Sequence, residues 1–537
     1  MHWKTSPGPQ SAESTSVVFF SSDLSCVSFC RETVISHPVL SVVLARIALV
    51  IAASSCLLAA HAADVAATLT EFQRCQIQSL EAPTQRSAHC ATLSVPEDYA
   101  ATSGPQIELF VARISSLSRA KQSDPLLLIN GGPGASAVDL YLSLGSVLDP
   151  ILDERDIILL DQRGTGRSHP MDCAVDLNGR DLSPSTADIA RSTAECLQQL
   201  PGDPRQYTTS NAVQDLEQLR QLLSAPLINL YGVSYGTRVA LHYLRRFPDN
   251  ARSLVLDGVL PPEIVLGPNV ALNAQTTLDA IFERCASAPA CNAQFPELGE
   301  RFTALAKTLR QTPPEIELTH PITGDRELIE LDYNQLAMVI RLLSYAPETA
   351  ALIPLTIAQA SSGNLGGLAG QAAMFSDRLT RSLNAGMHNS VVCSEDAPAY
   401  PDIDAELDQA QLEASYIGAD QYGALKTLCD LWPAGPTDDD FRQPITAQAP
   451  VLVLSGEFDP ITPPAYGEQL DAALANSTHF IAPGQGHGVI ARGCIPRVAA
   501  HFIRTADLAS TARAEDGCID ELDAMPFFLN TMGPVAP

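Results

Sequence analysis

Two runs with different periodicity, Leu227–Tyr231 and Tyr235–Phe247, meet across Gly232-Val233-Ser234-Tyr235-Gly236. The first reads as a β-strand and the second as a helix. Strand and helix can be joined this closely only if backbone approaches backbone where they meet, which is what flanking glycines permit. Such a turn strains the serine between them and lifts its hydroxyl above the end of the strand. The helix N-terminus beneath favours negative charge at that point. This one junction implies a fold in which strands alternate with packed helices.

The rest of the chain repeats the alternation. Short apolar runs bounded by turn residues mark buried parallel strands. They fall at Ile107–Ile114, Pro125–Ile129, Asp156–Leu160, Ile228–Gly232, Ser253–Leu256, Val451–Ser455 and Thr478–Ile481. Amphipathic stretches at Ala212–Leu223, Tyr235–Phe247 and Arg497–Ala506 read as helices. The expected class is α/β, a mostly parallel sheet flanked by helices. Residues 262–449 depart from this pattern. They read as helices at Val270–Cys285, Pro296–Arg310, Asn334–Ser344 and Glu348–Ser361, with few strand runs. A helical cap inserted between a first core part, 63–261, and a second, 450–537, is expected.

Residues 1–62 are expected to be a targeting segment. Ile47–Ala60 is apolar and preceded by Arg46, and Ala60-His61-Ala62 has the small-x-small pattern of a secretory cleavage site. The run is short of the roughly 20 residues of a membrane span. Extending it back to Val39 passes through Arg46, so an uncleaved anchor is a second reading. A lipid anchor at Cys56 is a minor third. A periplasmic or secreted protein follows, with no stable membrane insertion after cleavage near Ala62. Ten cysteines remain beyond residue 62, an even number that suggests disulfides in an exported chain. Spacing does not determine connectivity. Pairing neighbours in order closes the shortest loops and gives Cys75–Cys90, Cys173–Cys196, Cys285–Cys291, Cys393–Cys429 and Cys494–Cys518; buried free thiols are the alternative. No cysteine or histidine spacing suits zinc, and no metal or organic cofactor is called for.

Composition narrows the partners. With 33 basic and 61 acidic residues the formal net charge is −28. That balance argues against nucleic acid and disfavours anionic surfaces. Residues 262–449 contain 25 acidic and 10 basic residues, over half of the excess. They form either a solvated acidic face or a cavity that attracts a cation.

A serine nucleophile needs a base, and the base needs an orienting acid. His487 lies in Pro483-Gly-Gln-Gly-His-Gly488, just after the last expected strand, and Asp459 follows the strand before it. The order Ser234, Asp459, His487 fits a triad in which each member follows a strand. Two rival acids stand nearby: Asp257, at the end of an earlier strand, and Glu457. Asn130-Gly131-Gly132-Pro133-Gly134 follows the strand Pro125–Ile129. Its N–H groups, from Gly131 and Gly132, together with that of Tyr235, are candidate oxyanion donors; a plain tight turn or a phosphate cradle is the alternative, and the lack of a following Gly-Lys-Ser/Thr speaks against the cradle. Arg163, in Asp161-Gln162-Arg163-Gly164-Thr165-Gly166-Arg167-Ser168, reads as a residue that ties loops together.

These motifs together resemble the prolyl/tripeptidyl aminopeptidase family of α/β-hydrolases. The exported bacterial branch, with a tripeptidyl-aminopeptidase-like C-terminal region, is the most similar, and the resemblance runs from about Cys75 to Cys518. Cys393-Ser-Glu-Asp-Ala-Pro398 and Cys429-Asp-Leu-Trp-Pro433 share it. The family begins its oxyanion motif with histidine, and here Asn130 stands in that place. The resemblance implies a serine aminopeptidase that releases an N-terminal proline or a short N-terminal peptide through an acyl-enzyme. Such an enzyme holds a protonated N-terminus, and Glu395 and Asp396 are the candidate carboxylates; a helix cap or internal salt bridge is the bland reading of both. Trp432 is either a cavity wall or packing. The implied partner is a peptide with a free N-terminus. An esterase or amidase for small molecules would use the same triad. A non-catalytic binding protein on the same scaffold would have no reason to keep all three residues.

Overall fold

The apolar runs hydrogen-bond into one ten-stranded sheet. The computed structural model describes residues 67–79, 83–101, 103–173 and 185–534, so the expected targeting segment, its cleavage pattern and Cys56 lie outside the described residues. In chain order the strands are β1 (Thr68–Leu69), β2 (Gln73–Gln78), β3 (Gln85–Pro96), β4 (Gln106–Ile114), β5 (Leu126–Ile129), β6 (Ile157–Leu160), β7 (Ile228–Val233) and β8 (Ala251–Asp257). A separate antiparallel hairpin, β9 (Glu315–Thr319) and β10 (Arg326–Glu330), precedes β11 (Val451–Gly456) and β12 (Ser477–Ala482). The sheet order is β1-β3-β4-β6-β5-β7-β8-β11-β12, with β2 also on β3. From β6 to β12 every pairing is parallel, while β1 to β4 pair antiparallel.

All seven expected strands are in this sheet, with ends shifted by two residues at most. β5, β6 and β11 are buried along their whole length, because helices cover both faces. On one face pack the helices Thr209–Leu222 and Tyr235–Arg246. On the other lie Ala137–Leu144 and Ile495–Thr505. Of the antiparallel strands, β4 matches the expected run Ile107–Ile114 but pairs antiparallel with β3 and β6 rather than parallel, and β1, β2 and β3 escape the sequence pattern. The sequence of β3, Gln-Arg-Ser-Ala-His-Cys-Ala-Thr-Leu-Ser-Val-Pro, holds no continuous apolar run, because only one side of its first half meets the core.

Between β8 and β11 the chain is largely helical, including Pro268–Ser287, Leu298–Gln311, Tyr333–Leu343 and Gly366–Ser382, and these share an apolar core of their own. The run Glu348–Ser361 is not one helix. It divides into Pro347–Ala350 and Ile353–Ser361, which places Pro354 in a first turn rather than a helix interior. Hairpin β9–β10 was also unexpected; its residues alternate between exposed and half-buried.

Five disulfides join the neighbouring cysteines named above, with Cα–Cα separations of 5.9, 5.0, 5.2, 4.9 and 6.3 Å in chain order. They fit an oxidising compartment. Among the described residues no helix is long and apolar enough to cross a membrane.

Candidate active site

Ser234 sits at the end of β7 with φ 57° and ψ −128°, a strained backbone for a residue with a side chain. The glycines on either side explain how the strain is held. A Cβ on Gly232 would lie 2.4 Å from the Gly236 carbonyl oxygen, and one on Gly236 would lie 2.3 Å from that of Ile129. The Ser234 N–H donates to the Asp257 carbonyl at 2.9 Å, which ties the turn to β8.

His487 and Asp459 come from the loops after β12 and β11. The imidazole Nδ1 donates to Asp459 Oδ2 at 2.7 Å, which leaves Nε2 as the acceptor. Asp459 is itself fixed: Oδ1 accepts the N–H groups of Ile461 and Thr462, both at 2.9 Å, and Oδ2 accepts the Thr462 hydroxyl at 2.8 Å. Burial works against the imidazolium, and the adjacent carboxylate more than offsets it, so the His487 pKa stands above the ordinary histidine value.

The rival acids have other tasks. Asp257 accepts the N–H groups of Val489 (2.8 Å) and Ile490 (2.9 Å) and the Tyr231 hydroxyl at 3.0 Å. It thereby anchors the His487 loop, and burial raises its pKa. Glu457 accepts the Gly484 N–H at 2.7 Å and braces the same loop from its other end. Ser234 and His487 are brought to one edge of the sheet through these contacts. Asp257 holds both segments, and a Cβ on Gly258 would meet the imidazole at 3.1 Å.

The loop after β5 lies against the nucleophile, since a Cβ on Gly131 would be 2.7 Å from Ser234 Cβ and 3.3 Å from its Oγ. Asn130 organises this loop from within. Its Oδ1 accepts the Gly131 N–H at 2.8 Å and its Nδ2 donates to the Ser136 carbonyl at 2.7 Å. Of the three expected donors, Gly131 is therefore already engaged. The N–H groups of Gly132 and Tyr235 find no acceptor among the described residues and are the better placed pair for an oxyanion.

A segment that the sequence did not single out clamps the same loop from outside. Asn384 donates its N–H to the Gly134 carbonyl at 3.1 Å and accepts the Gly166 N–H at 3.0 Å through its side chain. His388 Nδ1 lies 3.3 Å from the Pro133 carbonyl. Nothing local announces these residues, which are about 250 positions from the loop they hold. Thr462 was legible in principle, because a hydroxyl three residues after an aspartate is a common turn device.

Glu395 and Asp396 are not presented to an open cleft. Both lie in a single π-helical turn, Val392–Asp396, and are 2 % and 0 % exposed. Asp396 takes both terminal nitrogens of Arg238 at 3.0 Å and the Leu266 N–H at 2.9 Å. Glu395 accepts the Thr209 N–H (2.6 Å) and hydroxyl (3.0 Å), and Thr209 in turn meets the Tyr235 hydroxyl at 2.7 Å. Burial pushes the Glu395 pKa up to about 7. The expectation of two carboxylates waiting for a substrate ammonium is corrected on this point: the chain's own donors occupy them. The alternative reading, an internal salt bridge, is the one Asp396 follows with Arg238, while Glu395 is held chiefly by Thr209. Arg163 is buried and bonds Asp215 through two nitrogens at 2.7 Å while reaching the carbonyls of Glu97 and Gln206, so it ties loops together. Trp432 packs among Cys173, Cys196 and Cys393. Among the described residues no group of three His, Cys, Asp or Glu is placed to hold a metal.

Parts of the chain are similar to known proteins. Residues 124–293 match the family described as alpha/beta hydrolase fold, and residues 414–514 match that described as TAP-like protein. The chain is similar to Carboxylesterase B of Mycobacterium tuberculosis, 28% identical over 496 residues, which covers 84% of this chain and 90% of that protein. It is similar to Serine protease Hip1 of the same species, 24% identical over 453 residues, covering 79% and 86%. It is also similar to Tripeptidyl aminopeptidase of Streptomyces coelicolor, 34% identical over 190 residues, covering 32% and 35%.

Proposed function

The chain belongs to the α/β-hydrolases, as a serine hydrolase with a TAP-like C-terminal region, and from that premise we propose that it is an exported serine aminopeptidase. It releases an N-terminal proline or a short N-terminal peptide. Ser234 Oγ attacks the scissile carbonyl while His487 Nε2 takes its proton, and Asp459 stabilises the imidazolium that forms. The N–H groups of Gly132 and Tyr235 hold the oxyanion. His487 then protonates the leaving amine, and water repeats the sequence to release the acyl group. The observation that carries this reading is the 2.7 Å bond from His487 to an Asp459 carboxylate already fixed by two backbone N–H groups, on the same sheet edge as strained Ser234. The preference for a free N-terminus rests on the acid-rich stretch 262–449 rather than on one carboxylate. Export is supported by the five disulfides.

Ester hydrolysis is a second reading, favoured by the similarity to Carboxylesterase B over most of the chain. A panel of chromogenic substrates separates the two: free-amine proline, free-amine tripeptides, their N-acetylated forms and a simple ester. An aminopeptidase prefers the free amines, whereas equal turnover of blocked and free peptides sinks that reading. Ser234→Ala should abolish both turnover and labelling by a serine-directed phosphonate. A folded Ser234→Ala protein at wild-type rate would refute the mechanism.

A further inference from the structure

The Tyr235 N–H is one half of a peptide unit whose other half is the Ser234 carbonyl. A peptide is planar, so whatever fixes that carbonyl also aims the N–H on its opposite side. Thr237 fixes it twice. Its hydroxyl donates to the Ser234 carbonyl at 2.6 Å, and its own N–H donates there at 2.9 Å. The hydroxyl oxygen in turn accepts the Leu260 N–H at 2.8 Å. A threonine hydroxyl on a carbonyl one turn back is common in helices. Here it is also tied to a segment outside the helix, beyond β8, and the carbonyl it holds belongs to the strained elbow.

The same peptide is held from its other end through the Tyr235 side chain. The Thr209 hydroxyl donates to Glu395 at 3.0 Å, so toward Tyr235 it can only accept. The Tyr235 hydroxyl therefore donates to Thr209, at 2.7 Å. Three residues on, and so on the same helix face, Arg238 grips Asp396 through two nitrogens at 3.0 Å. A ring tethered at its far end, with a second tether one turn later, keeps the start of this helix from turning about its axis. Thr209, Tyr235, Thr237 and Arg238 are all buried. A strained backbone such as that of Ser234 persists only where its surroundings over-determine it, and these contacts do so.

We propose that Thr237 and Thr209 are positioning residues for the oxyanion hole: they hold the Ser234–Tyr235 peptide so that its N–H faces the carbonyl under attack. Thr237 acts at the carbonyl end. It also polarises the unit, since an amide whose oxygen accepts two bonds donates more strongly at nitrogen. Thr209 acts through the Tyr235 ring and brings Glu395 into the site as a support, not as a receptor for a substrate amine. The two threonines thereby link the oxyanion donor to Leu260 and to Glu395, one just before the inserted helical segment and one within it. This inference rests on the serine-hydrolase reading above and applies to amide and ester substrates alike.

The test measures a p-nitrophenyl ester and a free-amine peptide amide, with rates taken per active site as counted at the endpoint of phosphonate labelling. Thr237→Val and Thr209→Val should each lower kcat by about 10- to 100-fold, the cost of misplacing a donor and less than that of deleting one. The loss should be alike on both substrates with KM nearly unchanged, and Thr237→Ser should recover most of it. A peptide trifluoromethyl ketone forms a tetrahedral adduct with its oxyanion in the hole, so its binding should weaken by the factor lost from kcat. Tyr235→Phe removes a single oxygen and leaves Thr209 on Glu395; it should cost about tenfold in kcat and serves if a valine variant does not fold. Unchanged kcat in the folded variants, a loss confined to KM for free-amine peptides, or undiminished ketone binding would overturn the proposal. No turnover by wild type, or turnover that survives Ser234→Ala, would overturn the hydrolase reading beneath it as well.

Discussion

Replacing Asp459 with asparagine changes one atom, and the surroundings determine which way the amide must face. The Oδ1 position receives two backbone N–H groups at 2.9 Å, from Ile461 and Thr462. Turning the new NH2 toward them would leave two buried donors facing a donor, at about 1–3 kcal/mol each. The amide oxygen therefore stays at that position and the NH2 faces His487 Nδ1, where Oδ2 stood at 2.7 Å. Nδ1 must then accept, the ring proton moves to Nε2, and Ser234 has no base. The expected loss in kcat is about 10⁴-fold, the cost of the wrong tautomer in serine proteases, or about 5.5 kcal/mol of activation free energy. KM should change little, because the fold and the oxyanion donors remain. Stopped-flow measurement of the acyl-enzyme burst with a p-nitrophenyl ester reads the effect directly. The pH profile adds a second reading. In wild type the rate falls as pH drops through a His487 pKa above 6.5, since the carboxylate raises it; Asp459→Asn should move that acid limb to lower pH. A folded variant with a full burst and kcat within tenfold of wild type would refute the tautomer argument.

Other consequences are equally open to measurement. His388→Ala should lower kcat by between about 10- and 100-fold with KM nearly unchanged, because it loosens the oxyanion loop; His388→Gln, which can still donate to Pro133, should recover most of the rate. Glu395 holds its proton more tightly in the folded chain, with a pKa raised from 4.5 to about 7, so its own contribution to stability is full below about pH 4.5 and is lost as pH rises through about 7. Glu395→Gln should flatten that slope in denaturant titrations run across the range. Removing the Cys393–Cys429 crosslink by double serine substitution should cost about 2–4 kcal/mol, read as a lower Tm, and should weaken activity, since that bridge pins the π-helical turn beside Tyr235.

What was legible came from residues whose neighbours along the chain impose their role. The parallel strands are short apolar runs because helices cover both faces, and an elbow serine needs glycines two residues away on either side. Both are local constraints, so composition at those positions reveals them. The loops bearing Asp459 and His487 follow strands in order for the same reason. Neighbouring cysteines closing short loops likewise need little beyond proximity along the chain. What tertiary structure alone decided concerns contacts between segments far apart. Asp459, Asp257 and Glu457 are all acids at strand ends, and only the folded loops show that one orients the imidazole while the other two pin its backbone. Glu395 and Asp396 looked available because Arg238 and Thr209, more than 150 residues away, carry no sign of pairing with them. Asn384 and His388 belong to the site because the inserted segment brings them onto the oxyanion loop. Side-chain identity along a chain records local geometry; which charge meets which counter-charge is set by the fold that closes the distance between them.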